Sequence, residues 1–201
     1  MCIRDRINAG SERIARSLGN TLVAPAITYV PEGDIDPPSG HMRFAGTISI
    51  PQEVFESVLE HTARSLKRHG FTDILFIGDS GPNQRPQESI ANKLSQEWSK
   101  EGINVFHISD WYKIGVFDDY LISQGATYEQ IGNHAGLRDT SLLLAIAPHH
   151  VRTSNISPGQ GADVDGVSGD PTIASAEYGR IGFDLIFNAA LNQIKELMER
   201  E

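Results

Sequence analysis

Short apolar runs alternate with amphipathic stretches along most of the chain, and this alternation indicates an α/β protein. LVAPAITYV (22–30), GTISI (46–50), DILFIG (73–78) and INVFHI (103–108) each have the length and composition of a β-strand. DILFIG is apolar after its first residue, which is typical of a parallel strand buried on both faces. We therefore predict a mostly parallel sheet that includes residues 22–30, 73–78 and 103–108.

Apolar residues at three- and four-residue spacing predict helices between and after these strands. One helix follows Pro51, which is tolerated in a first helical turn, and ends at Gly70. A second ends at Gly102. The stretch 134–148 contains a helix that is apolar on all sides and should be buried, and a last helix extends from 174 to about 199.

The order of these elements predicts a single domain. Strand–helix–strand connections of this length form right-handed crossovers and layer helices against a parallel sheet. A chain of 201 residues is long enough to bury roughly 70% of its unfolded surface, and no repeat or linker divides it. We therefore predict one three-layer α/β/α domain over residues 1–201. Residues 1 to about 10 fit least well, because MCIRDR joins a helix-like stretch without a preceding strand or cap, and we expect the natural start to lie upstream.

The charge balance excludes several classes of partner. The chain has 17 basic and 26 acidic residues and a formal net charge of -9, whereas binding to a nucleic-acid backbone needs clustered Lys and Arg. No apolar stretch reaches the roughly 20 residues of a membrane span, and no signal-like segment follows the start. The single cysteine, Cys2, rules out an internal disulfide framework and a cysteine-based zinc site. We expect a cytoplasmic protein that binds neither nucleic acid nor membrane.

The candidate chemistry begins in FIGDSGPNQ (76–84), where the strand DILFIG ends. Ligands of parallel sheets bind beyond the carboxyl ends of the strands, so Ser80 should lie at such an edge. Read alone, the GDS triplet resembles the first motif of the SGNH esterases, whose serine is a nucleophile. The chain lacks their Gly-x-Asn-Asp and Asp-x-x-His motifs, and Gly81 is wrongly spaced for a Gly-x-Ser-x-Gly elbow. A serine esterase that uses Ser80 is therefore a disfavoured alternative.

Five segments resemble, in order and approximate spacing, the creatininase family, also called creatinine amidohydrolases. They are LVAPAITYVPEG (22–33), HMRFAGTISIP (41–51), HGFTDILFIGDSGPN (69–83), HAGLRDTSLLLAIAP (134–148) and GVSGDP (166–171). In that family the third segment usually contains NGHGGN and the fourth reads HAG-x-x-ETS. Five ordered segments are more specific than any one of them, and the resemblance extends from Leu22 to the carboxyl end.

The resemblance implies a creatininase-like amidohydrolase, which hydrolyses C–N bonds of a small, often cyclic amide with a metal-activated water. It also implies a divalent metal, zinc or manganese, and a homo-oligomer. His134 matches the family's proton-transfer histidine, and Asp139 matches a glutamate that binds or supports metal. Ser80 replaces a metal-binding histidine and Asp79 replaces a glycine, so the metal site is degenerate. The family's Glu-x-His-Gly-x-His segment does not precede Leu22, which truncation would explain.

These arguments together give a candidate site, which we expect at one edge of the sheet. Its expected members are the catalytic residue His134, the metal ligands Asp139 and Asp79, and the substrate-pocket residues Ser80, Asn83, His41 and Trp111. Ordinary interpretations stay open for them: a helix cap, a backbone-bonded or surface histidine, turn residues and a core tryptophan. The whole protein has an alternative as well, namely a binding or scaffold protein that keeps the fold without catalysis.

Overall fold

The computed structural model describes residues 3–199 and has the architecture of an α/β protein. Within that range the sheet has two parallel strands, β1 (Asp73–Phe76) and β2 (Asn104–His107), with Asp73 opposite Asn104. The α-helices are α1 (Ile3–Leu18), α2 (Gln52–Arg68), α3 (Gly81–Trp98), α4 (Gly115–Ser123), α5 (Tyr128–Ile131), α6 (Leu137–Ile146), α7 (Ala162–Asp165) and α8 (Ala176–Glu199). Single 3-10 turns cover Gly40–Arg43, Ser109–Trp111, Pro148–His150, Thr153–Asn155 and Pro171–Ile173. No helix of this described part is both long and apolar enough to cross a membrane.

Two compact groups of residues make up the fold, and each is described by itself. The first group comprises the described residues of 3–24 and 113–192, and the second those of 25–112 and 193–199. Helix α8 contributes residues to both groups. The expectation of one domain over residues 1–201 stays a prediction.

In the second group, α2, α3 and the two strands share one apolar core. Helix α3 connects β1 to β2 and so provides the crossover that a parallel pair requires. Helix α2 ends where the sequence predicts, because Gly70 adopts a φ of 89° and the Phe71 N–H donates back to the Leu66 carbonyl. The strands predicted at 73–78 and 103–108 are confirmed. The core residues are Phe55, Leu59, Ala63, Ile74, Phe76, Ile90, Ala91, Leu94, Trp98 and Val105.

In the first group, small residues let α8 approach α6 and α4 closely. A Cβ atom at Gly179 of α8 would overlap the Ser141 carbonyl of α6, and one at Gly182 would overlap the Phe117 ring of α4. The helices predicted within 134–148 and over 174–199 are confirmed as α6 and α8. Apolar side chains of α1, α4, α5, α6 and α8 are buried here: Ile14, Phe117, Leu121, Ile131, Leu137, Leu142, Leu143, Ile186, Phe187 and Ala190.

The predictions of strands at 22–30 and 46–50 are wrong. Both stretches lack strand structure, and Leu22 is 77% exposed. The Ile50 N–H donates to the Val30 carbonyl at 3.4 Å, but this contact does not develop into a ladder. An apolar pattern predicts an extended backbone, whereas a strand also needs a neighbour whose backbone lies at pairing distance. The pattern contains no information on that neighbour.

Candidate functional site

The candidate residues of the second group lie where β1 leads into α3. The backbone of Ser80 is extended (φ -139°, ψ 144°) directly before the helix begins at Gly81. Asp79, Ser80 and Asn83 are buried, with exposures of only 6%, 5% and 7%. The strand-to-helix turn predicted from FIGDSGPNQ is therefore present, and it places polar groups at the carboxyl end of a parallel strand.

Glu32 connects Ser80 to His41. The Ser80 hydroxyl donates to Glu32 Oε1 at 3.3 Å, and His41 Nδ1 is hydrogen-bonded to Glu32 Oε2. The Glu32 side chain is 14% exposed, against 35% for His41. An activated serine nucleophile donates its proton to a base such as imidazole, whereas this serine donates to a carboxylate that also holds a histidine. The geometry favours a ligand-binding or structural serine, and the exclusion of Ser80 as a nucleophile stays a prediction.

Backbone contacts fix the loop between Glu32 and His41. The His41 N–H donates to the Glu32 carbonyl at 2.8 Å. The Ser49 hydroxyl accepts from the Glu32 N–H at 3.0 Å and donates to the Gly33 carbonyl at 2.7 Å. Gly33 has a φ of 130°, and a Cβ atom there would overlap the Ser39 carbonyl, so only glycine fits this crossing of the loop. These contacts close the loop and thereby fix the positions of the Glu32 and His41 side chains.

Gln84 connects the same turn to the end of β2. Its Nε2 donates to the carbonyls of Gly78 and Ser80 at 3.0 and 2.9 Å. Its Oε1 therefore faces His107 Nε2, 3.0 Å away, which must carry the hydrogen. Burial lowers the pKa of His107, and the negative charge of Glu88 partly opposes that effect. His107 is thus neutral near pH 7 and acts as a hydrogen-bond donor.

Two buried amide oxygens of α3, Asn83 Oδ1 and Gln87 Oε1, have no hydrogen-bond partner among the described residues. Gln87 lies against Gly78, where a Cβ atom would come within 2.6 Å of Gln87 Oε1. Both oxygens are sealed from solvent, so a substrate cannot reach them in this conformation. A buried water is the group that commonly satisfies such atoms. The contribution of Asn83 to a substrate pocket stays a prediction.

Trp111 is 3% exposed and ends the short Ser109–Trp111 turn. Gln193 of α8 fixes that turn, since its Oε1 accepts from the Asp110 N–H at 2.9 Å and its Nε2 donates to the Ser109 hydroxyl at 3.2 Å. Such burial agrees with the packing interpretation that the sequence left open, and a role for Trp111 in a pocket stays a prediction.

In the first group, His134 begins a tight turn before α6. The next residue, Ala135, has a φ of 52°, which is uncommon for a residue with a side chain. The backbone of His134 pairs with Ser168: the Ser168 N–H donates at 2.7 Å, and the His134 N–H donates back at 3.4 Å. A Cβ atom at Gly132 or Gly136 would overlap the Ser168 carbonyl or come within 2.8 Å of it. The HAG and GVSGDP motifs therefore form two interlocked loops.

Two side chains from the first turn of α6 hold Ala135. Asp139 Oδ2 accepts from the Ala135 N–H at 3.2 Å, and the Thr140 hydroxyl donates to the Ala135 carbonyl at 2.9 Å. Asp139 Oδ1 accepts from Arg6 Nη1 at 2.8 Å, and both of these side chains are buried. Each carboxylate oxygen of Asp139 is therefore already engaged.

The described residues do not fit the metal site expected from the sequence. Between residues 3 and 199, no three side chains of His, Cys, Asp or Glu lie close enough together to hold a metal ion. Asp139 is bonded to Arg6 and Ala135, and the hydroxyl of Ser80 is a poor ligand for zinc. Metal ligation by Asp139 and Asp79 stays a prediction.

Sequence reasoning missed Glu32, Ala135 and Thr140. The sequence around Glu32 is typical of a solvated loop, so no local feature marks this carboxylate as part of a site. Ala135 and Thr140 had a weak signal in the sequence. Asp139 follows Ala135 by four residues, and short polar side chains at such spacing often bond to nearby backbone.

A family model and several curated and solved proteins are similar to this chain. The family model described as creatinine amidohydrolase matches residues 7–194. The mycofactocin precursor peptide peptidase of Mycobacterium ulcerans (strain Agy99) is 29% identical over 185 residues, which cover 84% of this chain and 63% of that protein. The chain therefore spans less than two thirds of the length of this relative.

Solved creatininase structures share the fold. A crystal structure of creatinine amidohydrolase and a manganese creatininase, both 21% identical, align with TM-scores of 0.76 and 0.75. A mutant creatininase of Zn–Zn type, 20% identical, aligns with a TM-score of 0.73. Each alignment covers 94% of this chain and 80% of the other. At these identities the likeness shows the fold alone, and it confirms the creatininase-like α/β class.

Proposed function

Because the chain belongs to the creatininase family, we propose that it is a hydrolase that cleaves the C–N bond of a small amide. The family match over residues 7–194 carries the proposal, since it includes His134 and the turn that holds it. In the reaction, the carbonyl carbon gains the hydroxyl of water and the nitrogen leaves as an amine. The water must lose one proton and the departing nitrogen must gain one.

His134 is the residue that we propose to transfer this proton. Imidazole takes up and releases a proton near neutral pH, and His134 is only partly buried. Its backbone pairing with Ser168 and the left-handed Ala135 restrict where the ring can lie. Such restriction supports the proposal, because proton transfer depends on accurate positioning.

The second group supplies the proposed substrate pocket. Ser80 and His41 share the carboxylate of Glu32, and Asp79 adjoins them at the carboxyl end of β1. Hydroxyl, imidazole and carboxylate groups can bind the N–H and C=O groups of an amide. Asn83 and Trp111, which are 7% and 3% exposed, remain proposed members of the pocket.

A divalent metal, zinc or manganese, is part of the proposal. Support comes from the solved neighbours described as a manganese creatininase and as a Zn–Zn type. When bound, such an ion makes a water more acidic and polarises a carbonyl. Since the described part of the chain offers no cluster of three ligands, we expect this chain to bind either metal weakly.

Ser80→His tests this expectation by titration calorimetry with zinc and manganese. An imidazole at position 80 would lie beside Glu32, which already holds His41, so three ligand-type side chains would meet. We expect affinity to rise at least about tenfold, because imidazole is a much stronger zinc ligand than a hydroxyl. Ser80→Asn, a control of similar polarity without imidazole, should leave it unchanged. Unchanged affinity in Ser80→His would contradict this account of the pocket.

Hydrolysis is tested with purified protein in zinc or manganese, on a panel of cyclic amides, formylated amides and short peptides. Peptides belong in the panel because one relative is named a peptide peptidase. His134→Gln should lower kcat by about 10²- to 10⁴-fold, the usual contribution of a proton-transfer group. The exposed His149 provides the matched control, His149→Gln. Equal rates in the two variants would show that His134 does not transfer a proton in the reaction.

A binding or scaffold protein that retains the fold is the second candidate. The lack of a three-ligand cluster among residues 3–199 favours it. Absence of hydrolysis across the whole panel, together with absence of zinc, manganese and iron from the purified protein, would support this candidate over the hydrolase.

A homo-oligomer completes the proposal, and its support is the family resemblance. Sedimentation velocity at micromolar concentration should show a species larger than 22.0 kDa. A monomer under these conditions would contradict the proposal.

A further inference from the structure

We infer that Asp139 and Thr140 are positioning residues that fix His134 by holding Ala135 in a left-handed conformation. These three residues, Ala135, Asp139 and Thr140, form what we term the Ala135 clamp. The consequence for catalysis rests on the proposed function, whereas the clamp itself is a property of the fold.

The clamp compensates for an unfavourable backbone conformation. Ala135 has a φ of 52°, where a Cβ atom crowds the following carbonyl, so such a residue persists only when its surroundings hold it. Asp139 bonds to its N–H and Thr140 to its carbonyl, so both polar groups of its backbone are satisfied. Because the two side chains are neighbours in the first turn of α6, the helix already orders them.

The far side of the turn is fixed independently. Ser168 exchanges two backbone hydrogen bonds with His134, and Gly132 and Gly136 pack so closely against Ser168 that neither position has room for a Cβ atom. His134 is therefore held by Ser168 on one side and, through Ala135, by the clamp on the other. A loss of the clamp should displace the imidazole, and displacement of about 1 Å can cost on the order of a hundredfold in rate.

This role differs from metal ligation by Asp139. A ligand aims its oxygens at the ion, but Oδ2 of Asp139 faces the Ala135 N–H and Oδ1 faces Arg6. A positioning role predicts that a glycine at 135, which adopts a positive φ without help, makes the carboxylate dispensable. A ligand role predicts no such dependence on residue 135.

The kinetic test is a double-mutant cycle on the amide that the panel identifies. Asp139→Ala should lower kcat by about ten- to a hundredfold, with KM and metal content unchanged. Adding Ala135→Gly should restore kcat to within about threefold of the parent, a non-additivity expected of residues in direct contact. Thr140→Val should also lower kcat, and Thr140→Ser, which keeps the hydroxyl, should not.

The second readout requires no substrate. Protection of the residue 135 amide from hydrogen exchange should fall about tenfold in Asp139→Ala, the usual effect of one lost hydrogen bond. The imidazole NMR resonances of His134 should move in Asp139→Ala and in Thr140→Val. The matched control is Thr127→Val, which removes the hydrogen bond that the Thr127 hydroxyl accepts from the Gln130 N–H.

The outcomes separate this inference from the proposed function. If the parent protein hydrolyses nothing, the proposed function fails. Hydrogen exchange at residue 135 and the His134 resonances would still test whether the clamp fixes His134. Unchanged exchange and resonances in Asp139→Ala would overturn the inference. So would a loss of bound metal in Asp139→Ala that Ala135→Gly does not restore, because Asp139 would then be a ligand.

Discussion

At the scale of single residues, Glu32 is the centre of the second group's polar cluster. A carboxylate with a side-chain exposure of 14% is costly to bury unless donors compensate for the lost water. His41 and Ser80 are those donors, one on each oxygen. The imidazole of His41 therefore contributes to the stability of the fold, whether or not it also contacts a ligand.

His41→Ala should lower the free energy of unfolding by about 1–3 kcal/mol, the usual cost of a buried acceptor that loses its partner. Urea denaturation measures the change. His61→Ala, at an exposed position of α2, is the control and should cost less than about 0.5 kcal/mol. Equal costs would mean that solvent satisfies Glu32 without His41.

Ser80→Ala should leave hydrolysis of any accepted amide within about tenfold of the parent, because the hydroxyl donates to the Glu32 carboxylate at a long 3.3 Å rather than to an imidazole. Loss of a true serine nucleophile costs on the order of a millionfold. Steady-state kinetics checks this expectation, and labelling with a fluorophosphonate provides a second measurement. Abolished activity in a folded variant, or a labelled Ser80, would instead support the serine esterase.

At the scale of elements, an ion-pair network joins α2 to α3. Arg64 bonds Glu60 at 2.8 Å and Glu97 at 2.6 Å, and Lys93 bonds Glu60 at 2.7 Å. The hydrogen bond from Arg64 lowers the pKa of Glu97 to about 2, and bonds from Lys93 and Arg64 lower that of Glu60. Glu97 is exposed and Glu60 is only partly buried, so each ion pair contributes little to stability. The lowered pKa values nevertheless make that contribution depend on pH.

Arg64→Gln should flatten the acid dependence of stability. Carboxylates with lowered pKa values stabilise the fold fully above about pH 4.5, and this contribution is lost as the pH falls towards 2. Urea unfolding between these pH values should therefore decline less steeply in Arg64→Gln than in the parent. Arg85→Gln, at an exposed arginine of α3, should retain the parental slope. Identical slopes for both variants would exclude the network as the cause.

The interlocked loops of the first group give a second prediction at this scale. Gly132 and Gly125 both have a positive φ, 64° and 95°, but only at Gly132 does a Cβ atom overlap backbone, that of Ser168. Gly125→Ala should cost about 1–2 kcal/mol for the left-handed conformation alone. Gly132→Ala should cost at least about 2 kcal/mol more, measured by urea unfolding. Similar costs would show that the loop of Ser168 moves aside readily.

At the scale of the whole molecule, the prediction of a single domain can be tested by unfolding. Both tryptophans, Trp98 and Trp111, belong to the second group, so their fluorescence reports on that group, whereas far-UV circular dichroism reports on the helices of both. Helix α8 runs through residues of both groups. We therefore expect one cooperative transition with coincident urea midpoints for the two signals. Separate midpoints would establish two domains.

The sequence by itself determined the α/β class, both observed strands and the principal helices. These depend on local properties, namely the period of apolar residues and the positions of glycine and proline, which sequence displays directly. It also placed Ser80 at a strand-to-helix turn and His134 before a buried helix. The family resemblance added the chemistry that these positions support.

Only the tertiary structure decided which side chains meet and which strands find a neighbour. Ser80 donates to Glu32 across 48 positions, and the path of the chain sets that contact, since nothing local specifies it. For the same reason residues 22–30 do not form a strand, because a sheet partner is a property of the fold. Asp139 accepts a hydrogen bond from the Ala135 N–H where the backbone is left-handed. Alanine rarely adopts this conformation, so the sequence does not predict it.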